Sequence, residues 1–464
     1  MAGLTTLTSM MVLYNRSSHT IYSCIYLFSL SFDFIISVLK SKWFSMAILL
    51  LILPRPAVSI SEEMREAVTS GLETGKEIGE LLSNKRFKSS LVKITRGIGP
   101  YLGALGPFVG IVLALNPIES EELSLMKDMM KNIDNRLDQV DNRFNDIERL
   151  IKWNVVQINF GQIEQRIKAV SREFQYIYNV PEAAVQNRKE LYIWSYKSDY
   201  QNSGTKLYQA IVERQGTFQE DLGTSVLRFT RNNRKMTQLF LTGVMQLLLQ
   251  AVKVELGYLS VNNFTHNLDY MTSDWEKRIQ EVSDKFEQID NQSVVNSHQQ
   301  LVIDIDEYGV KNKGLSHKLF ARELYDQLEE KYYWRHWIVI SSHQLGGADH
   351  CAKVRGGYMK IRTYGRNLEV ASVDENHPVM DMDLAEKDMT LVRVSERGGS
   401  WWRGYKTVHR QAAEICNYLD QSQSDASLVS AISSRAYSHY HYVAKALRFK
   451  QVVRNPYYTL IMWG

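Results

Sequence analysis

The stretch MTQLFLTGVMQLLLQAV, from Met236 to Val252, carries no charged residue and is apolar on nearly every side. Threonine and glutamine supply its few polar side chains. A helix that is hydrophobic all round is normally buried by its neighbours. We therefore predict that this segment is the central buried helix of a mainly α-helical protein.

Residues 126–151 form the clearest periodic pattern in the chain. Their apolar side chains recur at alternating steps of four and three residues, which is the 3.5-residue period of a coiled-coil seam. The segment nearly repeats itself as IDNRLDQ and VDNRFND. A helix of this length must lie against partners, so we expect an elongated antiparallel helical bundle over residues 60–330. The seam residues are Met126, Met130, Ile133, Leu137, Val140, Phe144, Ile147 and Ile151.

The stretch GIGPYLGALGPFVGIVLALNP, from Gly97 to Pro117, also lacks charge. Its length matches the roughly 20 residues that a helix needs to cross a bilayer. Glycine and proline weaken or bend a helix, however, and the proline spacing suggests two short pieces. We predict an apolar hairpin that turns near Gly106 and Pro107 and is buried in the bundle; insertion into membrane lipid is the alternative. The glycines and prolines of this predicted hairpin are Gly97, Gly99, Pro100, Gly103, Gly106, Pro107 and Gly110.

The first 59 residues have the composition of a targeting segment. A short apolar core, residues 47–53, follows two lysines, and Ala57 and Ser59 have the small-residue spacing that signal peptidase requires. We predict a signal peptide that is cleaved near Ser59 and a secreted, extracellular protein. The alternative is a membrane anchor, formed by residues 21–53, that is not cleaved.

The cysteines and the glycosylation motifs agree with secretion. Cleavage of a signal peptide removes Cys24, and the remaining pair, Cys351 and Cys416, is most simply one disulfide in an oxidising compartment. Two unpaired buried thiols are the alternative. Asn263 and Asn291 each begin an Asn-X-Ser/Thr motif and are candidate N-glycosylation sites.

The composition changes at about residue 331. The segment KYYWRHWIVISS is rich in aromatic residues, and short β-type runs such as YMKIRTYG, LEVASV and TLVRV follow between glycines. Helical character returns in VHRQAAEICNYL and LVSAISSRAYSHYHYVAKALRF, and we expect the apolar ending PYYTLIMWG to pack into the fold. We predict a smaller, aromatic-rich α+β domain over residues 331–464, after the targeting segment 1–59 and the bundle 60–330.

Composition and motifs argue against several functional classes. The 464 residues are 44% hydrophobic and 23% charged, and a net charge of only +4 gives no reason to expect nucleic-acid binding. Metalloprotease, P-loop, dinucleotide-binding and nucleophile-elbow signatures are absent from the sequence. We therefore expect a non-enzymatic protein that uses no metal and no cofactor.

Three short segments hold the remaining chemical groups. SHQLGGADHC, residues 342–351, brings histidine and cysteine close together, but its spacing matches no known nucleophile or metal site. The six carboxylates of residues 374–388 are most simply a solvated acidic loop, because the glycine and the final glutamate of an EF-hand are missing. The WWRGY segment, Trp401 to Tyr405, is either an interfacial or sugar-stacking surface or part of the core.

Several features, taken in order, resemble the cephalotoxin-like family. They are a secretion signal, a helical segment, the glycine-rich run GPYLGALGPFVGIVLALNP, a long DNR-containing amphipathic helix, and an aromatic C-terminal part that opens with YYWRHWIVISS. The family includes a salivary toxin of cephalopods, secreted coral proteins of the skeletal organic matrix and, more distantly, the rapunzel proteins of fish. The resemblance runs from about Ser61 to the end of the sequence.

The resemblance implies a secreted, non-enzymatic extracellular protein, closest to the coral proteins and so a component of a skeletal organic matrix or of a secretion. It implies matrix or mineral-associated proteins as partners, and the bundle offers a surface for self-association. The cysteine-rich modules of the toxin and long aspartate tracts are both missing from the sequence, so a matrix role is structural or adhesive. The alternative, motivated by the uncharged run from Gly97, is a helical pore-forming or membrane-active protein.

Overall fold

The structure, a computed structural model, describes residues 62–82, 87–113, 154–213, 221–355, 358–402, 404–436 and 439–464, together with six positions between 127 and 137. The chain divides into two compact units after Glu62, and the second unit is Glu63–Gly464. Its described elements are mainly helices, followed by a smaller strand-rich C-terminal part, as the sequence predicts.

The described helices are α1 Glu62–Leu82, α2 Phe87–Leu113, α3 Asn154–Asn179, α4 Glu182–Ser195, α5 Ser203–Val212, α6 Leu222–Phe229, α7 Arg234–Val261, α8 Thr265–Lys311, α9 His317–Lys331, α10 Met382–Leu391 and α11 Ala412–Leu419. A π-helical turn, Tyr196–Tyr200, follows α4. The described strands are β1 Arg335–Ser342, β2 His350–Val354, β3 Tyr358–Thr363, β4 Arg366–Asp374, β5 Ser395–Ser400, β6 Gly404–His409, β7 Leu428–Ser433, β8 His439–Val443, β9 Phe449–Arg454 and β10 Tyr458–Trp463.

Helix α7 confirms the predicted central helix and extends it at both ends. It begins where the Asn233 side chain accepts a hydrogen bond from the backbone N–H of Met236, which caps the helix. It packs against α2, α3 and α8. Among the described helices it is the one long and apolar enough to cross a membrane, yet 89% of its most apolar window is buried inside the fold. Burial on all sides is typical of the core helix of a bundle.

The predicted apolar hairpin is wrong, because α2 runs unbroken through both Pro100 and Pro107. A proline inside a helix costs about 3 kcal/mol or more, since it removes one hydrogen bond and crowds the carbonyl four residues earlier. Those carbonyls belong to Arg96 and Gly103, which are both exposed, so water can satisfy them. Burial of the opposite face offsets the remaining cost. Its side chains, each at most 4% exposed, are Leu91, Ile94, Ile98, Tyr101, Leu102, Leu105, Phe108, Val109 and Val112.

Glycines allow α2 to approach its neighbours closely. A Cβ on Gly71 of α1 would lie 2.1 Å from the Cβ of Ala104 on α2, which is far inside van der Waals contact. On another side of α2, Gly106 lies against Leu268 of α8, and Ser260 of α7 donates a 3.0 Å hydrogen bond to the Gly106 carbonyl oxygen. The apolar run, as far as it is described, is therefore the second helix of a pair and lies between α1 and the central helices.

The predicted coiled-coil seam lies mostly outside the described residues. Six positions between 127 and 137 are described, and all six are helical. Two of them are seam positions, Met130 and Leu137, and both are buried. The coiled coil itself stays a prediction, as do the last four residues of the apolar run, 114–117.

The strand-rich part consists of two four-stranded antiparallel sheets that pack face to face. The first sheet has the strand order β3-β4-β1-β8, and the second has the order β2-β7-β10-β9. Ile338, Ile340 and Val373 of the first sheet pack against Ile461 and Trp463 of the second. Helix α9 covers the outer face of the first sheet, together with the end of α8, while α10 and α11 cover the outer face of the second. The result is a four-layer sandwich that shares a core with the bundle.

Two similar halves of the chain build this sandwich. Helix α9 with strands β1 to β4, and helix α11 with strands β7 to β10, follow the same path, and in each half the second strand crosses to the sheet of the other half. The registers correspond, since Ile340 lies opposite His441 and Ile432 lies opposite His350. Each half therefore needs one strand of the other to complete its sheet. Helix α10 and the β5–β6 hairpin lie between the halves and have no counterpart within residues 317–374.

Two predictions in this part are wrong. LVSAISSRAYSHYHYVAKALRF contains strands β7 and β8 rather than a helix, and TLVRV forms the end of α10 and the loop after it rather than a strand. Strand β7 is buried along its whole length, because it has a packed layer on each side. A strand buried on both faces lacks the polar–apolar alternation that identifies strands in a sequence. The apolar ending is strand β10 and packs into the fold as predicted.

The variant Gly71→Ala is expected to be less stable than the wild type by about 1–3 kcal/mol, because the new Cβ overlaps Ala104 and forces α1 away from α2. The matched control is Gly103→Ala on the outer face of α2, where an added Cβ meets nothing within 4 Å. Alanine is a better helix former than glycine, so this control keeps or raises stability, by up to about 1 kcal/mol. Urea unfolding followed by circular dichroism measures both, and equal stability of the two variants would contradict the close contact of α1 with α2.

Candidate functional site

The centre of the bundle contains a buried ion pair. Lys253 of α7 is fully buried, and its Nζ atom lies 2.5 Å from Oδ1 of Asp134. Tyr178 of α3 donates a hydrogen bond to the other carboxylate oxygen of Asp134. The Lys253 Nζ atom also lies 5.9 Å from the centre of the Phe174 ring. Because Asp134 belongs to the DNR-containing segment, the pair joins that segment to the central helix.

The apolar helix α2 reaches this ion pair through Tyr101. The Tyr101 hydroxyl is buried and has no hydrogen-bond partner among the described residues. Burial raises the pKa of Tyr101 to about 12, while the positive charge of Lys253 lowers it and the carboxylate of Asp134 raises it. Tyr101 is thus a neutral phenol at physiological pH, and α2, α3 and α7 meet beside the charged pair.

A second buried carboxylate, Glu255, lies on α7. Its Oε1 atom accepts a 2.8 Å hydrogen bond from Tyr200, and its Oε2 atom accepts a 2.9 Å bond from the indole N–H of Trp275 in α8. Burial raises the pKa of Glu255, and these two hydrogen bonds and the positive charge of Arg278 oppose that rise. The carboxylate therefore ties the π-helical turn and α8 to the central helix.

Both carboxylates are enclosed by the structural side chains that bind them. Glu255 is 6% exposed and Asp134 is 4% exposed. A buried charge that loses its partner is strongly destabilising. The two sites therefore determine which helices contact α7 and in which register. Both sites hold neighbouring helices against α7.

Neither buried site is predicted from the sequence. A usable signal lies in VKVELGYL, directly after the uncharged stretch, where Lys253 and Glu255 stand within a continuing apolar pattern. A charge in the middle of a buried helix requires a partner. The partner of Lys253, however, lies 119 residues away along the chain, and no periodicity identifies it.

The structure brings Cys351 of β2 and Cys416 of α11 into contact. Both are free thiols. The interaction between the two neighbouring thiols lowers the pKa of Cys351 and raises the pKa of Cys416, which burial raises further. A disulfide would join the two sulfur atoms at about 2 Å. The bond itself stays a prediction.

The remainder of the SHQLGGADHC segment does not converge on one site. His350 is directed between the two sheets, where its Nε2 atom is hydrogen-bonded to the buried carboxylate of Glu369. Burial lowers the pKa of His350, but Glu369 outweighs this effect and the pKa is raised. His343 instead lies against His317, with ring centres 4.7 Å apart. Adjacent strand residues point to opposite faces, so the imidazole of His350 is directed away from Cys351. No group of metal-binding side chains occurs in the described part of the chain.

The two candidate glycosylation sites differ in their setting. Asn263 is exposed in the turn between α7 and α8. Asn291 lies inside α8, where it accepts a 2.6 Å hydrogen bond from Lys88, and the serine of its motif, Ser293, is fully buried. Acceptor motifs are expected in surface loops. The geometry therefore favours Asn263.

The acidic segment and the tryptophan segment have separate positions. Within residues 374–388, Asp381 caps α10 by accepting hydrogen bonds from two backbone N–H groups, so part of this segment is helical rather than loop. Trp401 and Trp402 are exposed at the end of the β5–β6 hairpin, which excludes the interpretation of these two residues as core. Outside the described residues lie the candidate cleavage residues Ala57 and Ser59 and the candidate anchor 21–53.

These features define a helical bundle fixed by buried polar contacts and joined to a strand-rich C-terminal part. Comparison with known proteins adds to this description: residues 117–314 match the family model of the cephalotoxin-like middle helical domain. Protein rapunzel of Danio rerio is 19% identical over 194 residues, which cover 41% of this chain and 83% of that relative. No solved structure matches. The matched segment contains Asp134, Lys253 and Glu255, so both buried sites belong to it.

Replacement of Lys253 by methionine is expected to lower stability by about 3–5 kcal/mol, because the Asp134 carboxylate is then buried without its counter-charge. Adding Asp134→Leu removes both charges and recovers most of the loss, since apolar replacements of buried pairs are often neutral. Lys235→Met, at an exposed lysine of the same helix, is the matched control. Urea unfolding of the wild type, Lys253→Met, Asp134→Leu, their double variant and the control gives the coupling energy between Lys253 and Asp134. A single variant as stable as the control would show that the pair does not hold the bundle.

Proposed function

We propose that this protein is a secreted, non-enzymatic, cephalotoxin-like extracellular protein, a structural or adhesive component of a skeletal organic matrix or of another secretion. The observation that carries the proposal is the match of residues 117–314 to the cephalotoxin-like middle helical domain. Its partners are then other matrix or mineral-associated proteins, or further copies of the same bundle.

The use of charge inside the bundle supports a structural role. Lys253 is paired with Asp134, and Glu255 accepts hydrogen bonds from Tyr200 and Trp275. Groups committed to these contacts are enclosed and hold helices together. Such a bundle is suited to act as a rigid scaffold that presents its outer surface to partners.

Three further features support secretion. Cys351 and Cys416 lie at the same core cluster, and an oxidising compartment favours a disulfide between neighbouring thiols. Asn263 offers an exposed acceptor in a turn, where a glycan can be accommodated. The sequence pattern that ends at Ser59 adds a cleavage site of the expected kind.

The natural protein is expected to begin near Ile60, to contain a disulfide between Cys351 and Cys416, and to carry a glycan on Asn263. N-terminal sequencing and non-reducing peptide mass spectrometry of protein extracted from skeleton or medium measure all three features. A recombinant Cys416→Ser variant, in which Cys351 stays open to alkylation, is the control for the disulfide. The proposal fails if the protein occurs only in intracellular membranes with its first 59 residues attached.

A membrane-active protein is the second candidate, and the character of α2 favours it. The half of α2 from Gly97 to Leu113 carries no charge, and its inner face is buried by apolar contacts. Its outer face is smooth, because a Cβ added at Gly103 or Gly110 meets nothing within 4 Å. A helix of this kind can transfer its apolar face to lipid if it is released from the bundle.

Gly103→Glu distinguishes the two candidates. In the folded protein the new side chain enters solvent, so stability stays within about 0.5 kcal/mol of the wild type. In an inserted helix, a charge opposes transfer into lipid by on the order of 2–3 kcal/mol. Dye release from phosphatidylcholine–phosphatidylserine vesicles measures the difference, with Gly103→Ala as the matched control. Release that is lost only in Gly103→Glu would favour the membrane-active candidate, and no release by the wild type would contradict it.

A further inference from the structure

The β5–β6 hairpin stands apart from the rest of the C-terminal part. In the described residues, β5 and β6 pair with each other and with no other strand. Every residue of β6 is exposed, and the strand is anchored to the sandwich at its last residue, His409, whose ring centre lies 4.6 Å from that of Tyr457. The hairpin has no counterpart in the first half of the sandwich, whose layers are complete without such an element. A two-stranded ribbon with so little support is marginally stable by itself, which points to a use outside the fold.

Two tryptophans occupy the tip of this hairpin. Trp401 is 70% exposed and Trp402 is 77% exposed, and their ring centres lie 3.9 Å apart. Two glycines flank the tryptophans at the end of the β5–β6 pairing. Gly399 and Gly404 have positive φ angles of 114° and 75°, which other residues rarely adopt. A Cβ on Gly399 would also lie 2.4 Å from the Gly404 carbonyl oxygen. The backbone is thus shaped to present two indoles to the surroundings.

The same hairpin is basic. Residues 395–410 contain four arginine or lysine side chains and one carboxylate. That carboxylate, Glu396, is paired with Arg410 at 3.3 Å. Arg397 lies 4.2 Å from the centre of the Tyr405 ring, and Tyr405 is itself 52% exposed. Behind the two indoles there is therefore a band of aromatic and cationic groups.

This order of groups matches the cross-section of a lipid surface. Indoles favour the boundary between acyl chains and headgroups, where one edge of the ring is apolar and the N–H is hydrated. Cations a few ångströms further out meet the phosphates of anionic headgroups. Sugar stacking fits less well, because sugar hydroxyls are commonly bound by carboxylate or amide oxygens, and the one carboxylate here is already paired.

We propose that the β5–β6 hairpin docks the protein on the surface of an anionic phospholipid bilayer. Trp401 and Trp402 enter the interface, while Arg397 and Lys406 contact the headgroup phosphates. These residues lie outside the segment 117–314, so the proposal is independent of the family match. It concerns attachment to a bilayer surface and requires no release of α2.

Co-flotation of the full-length protein with vesicles tests this docking. The protein is expected to bind phosphatidylcholine vesicles that contain about 30% phosphatidylserine at least tenfold more tightly than pure phosphatidylcholine vesicles, and high salt is expected to weaken this binding. The double variant Trp401→Ala with Trp402→Ala is expected to bind about tenfold more weakly. Arg397→Gln with Lys406→Gln is expected to show a loss of the same order and a smaller salt dependence. The matched control is Trp194→Ala, which removes a 65% exposed tryptophan of α4 and is expected to leave binding unchanged.

The outcomes separate the proposal from its rivals. Failure of the wild type to bind anionic vesicles, or an equal loss of binding in Trp194→Ala, would overturn it. Binding of a soluble oligosaccharide that depends on Trp401 and Trp402, without vesicle binding, would assign the tip to carbohydrate and also overturn it. If the double tryptophan variant does not fold, the milder changes Trp401→Phe and Trp402→Phe supply the test, each with a smaller loss of vesicle binding expected.

Discussion

The ion pair between Lys253 and Asp134 is the constraint on which the bundle depends. A lysine in the middle of a helix that is buried on all sides must find a carboxylate, because an unpaired buried charge is far more costly than a buried pair. Asp134 supplies this carboxylate, and the Tyr178 hydroxyl donates a hydrogen bond to its second oxygen. The pair fixes the position of Asp134 along α7, and its two charges also act on the buried hydroxyl of Tyr101 in α2.

The placement of α2 follows from that arrangement. Pro100 is exposed and Pro107 is half-buried, and the large apolar side chains of α2 are buried. Gly97, Gly99 and Gly106 lie where side chains of α1 and α8 approach the helix. An uncharged segment of membrane-spanning length thus has an ordinary role inside the bundle, as a helix that covers α7 and α8. At Gly103 and Gly110 no side chain projects from the outer face of the helix into solvent.

The sequence predicts those elements whose character is local, and it misses those that depend on distant contacts. Met236–Val252 is predicted correctly because a segment without a polar face can only be buried. The turn at Gly106 and Pro107 is predicted wrongly because helix propensity counts the local cost of proline and not the burial that offsets it. The sequence predicts a pair between Cys351 and Cys416 only because two cysteines remain after cleavage of the signal peptide. In the structure both side chains lie at the same core cluster. The Lys253–Asp134 pair and the exposure of Trp401 depend on tertiary placement, which no spacing in the sequence encodes.

The exchange of β2 and β8 between the halves of the sandwich has a consequence for synthesis. Ile338 of β1 finds its partner Val443 only after more than a hundred further residues have been made, and the ribosome adds about 5–20 residues per second. For several seconds the nascent first half therefore presents an unpaired strand edge, which is open to pairing with other chains. The same pairings can be satisfied when two neighbouring chains exchange halves. Correct folding of one chain is thus a kinetic competition, in which the covalent link between the halves favours the partner strand in the same molecule over that in a neighbour.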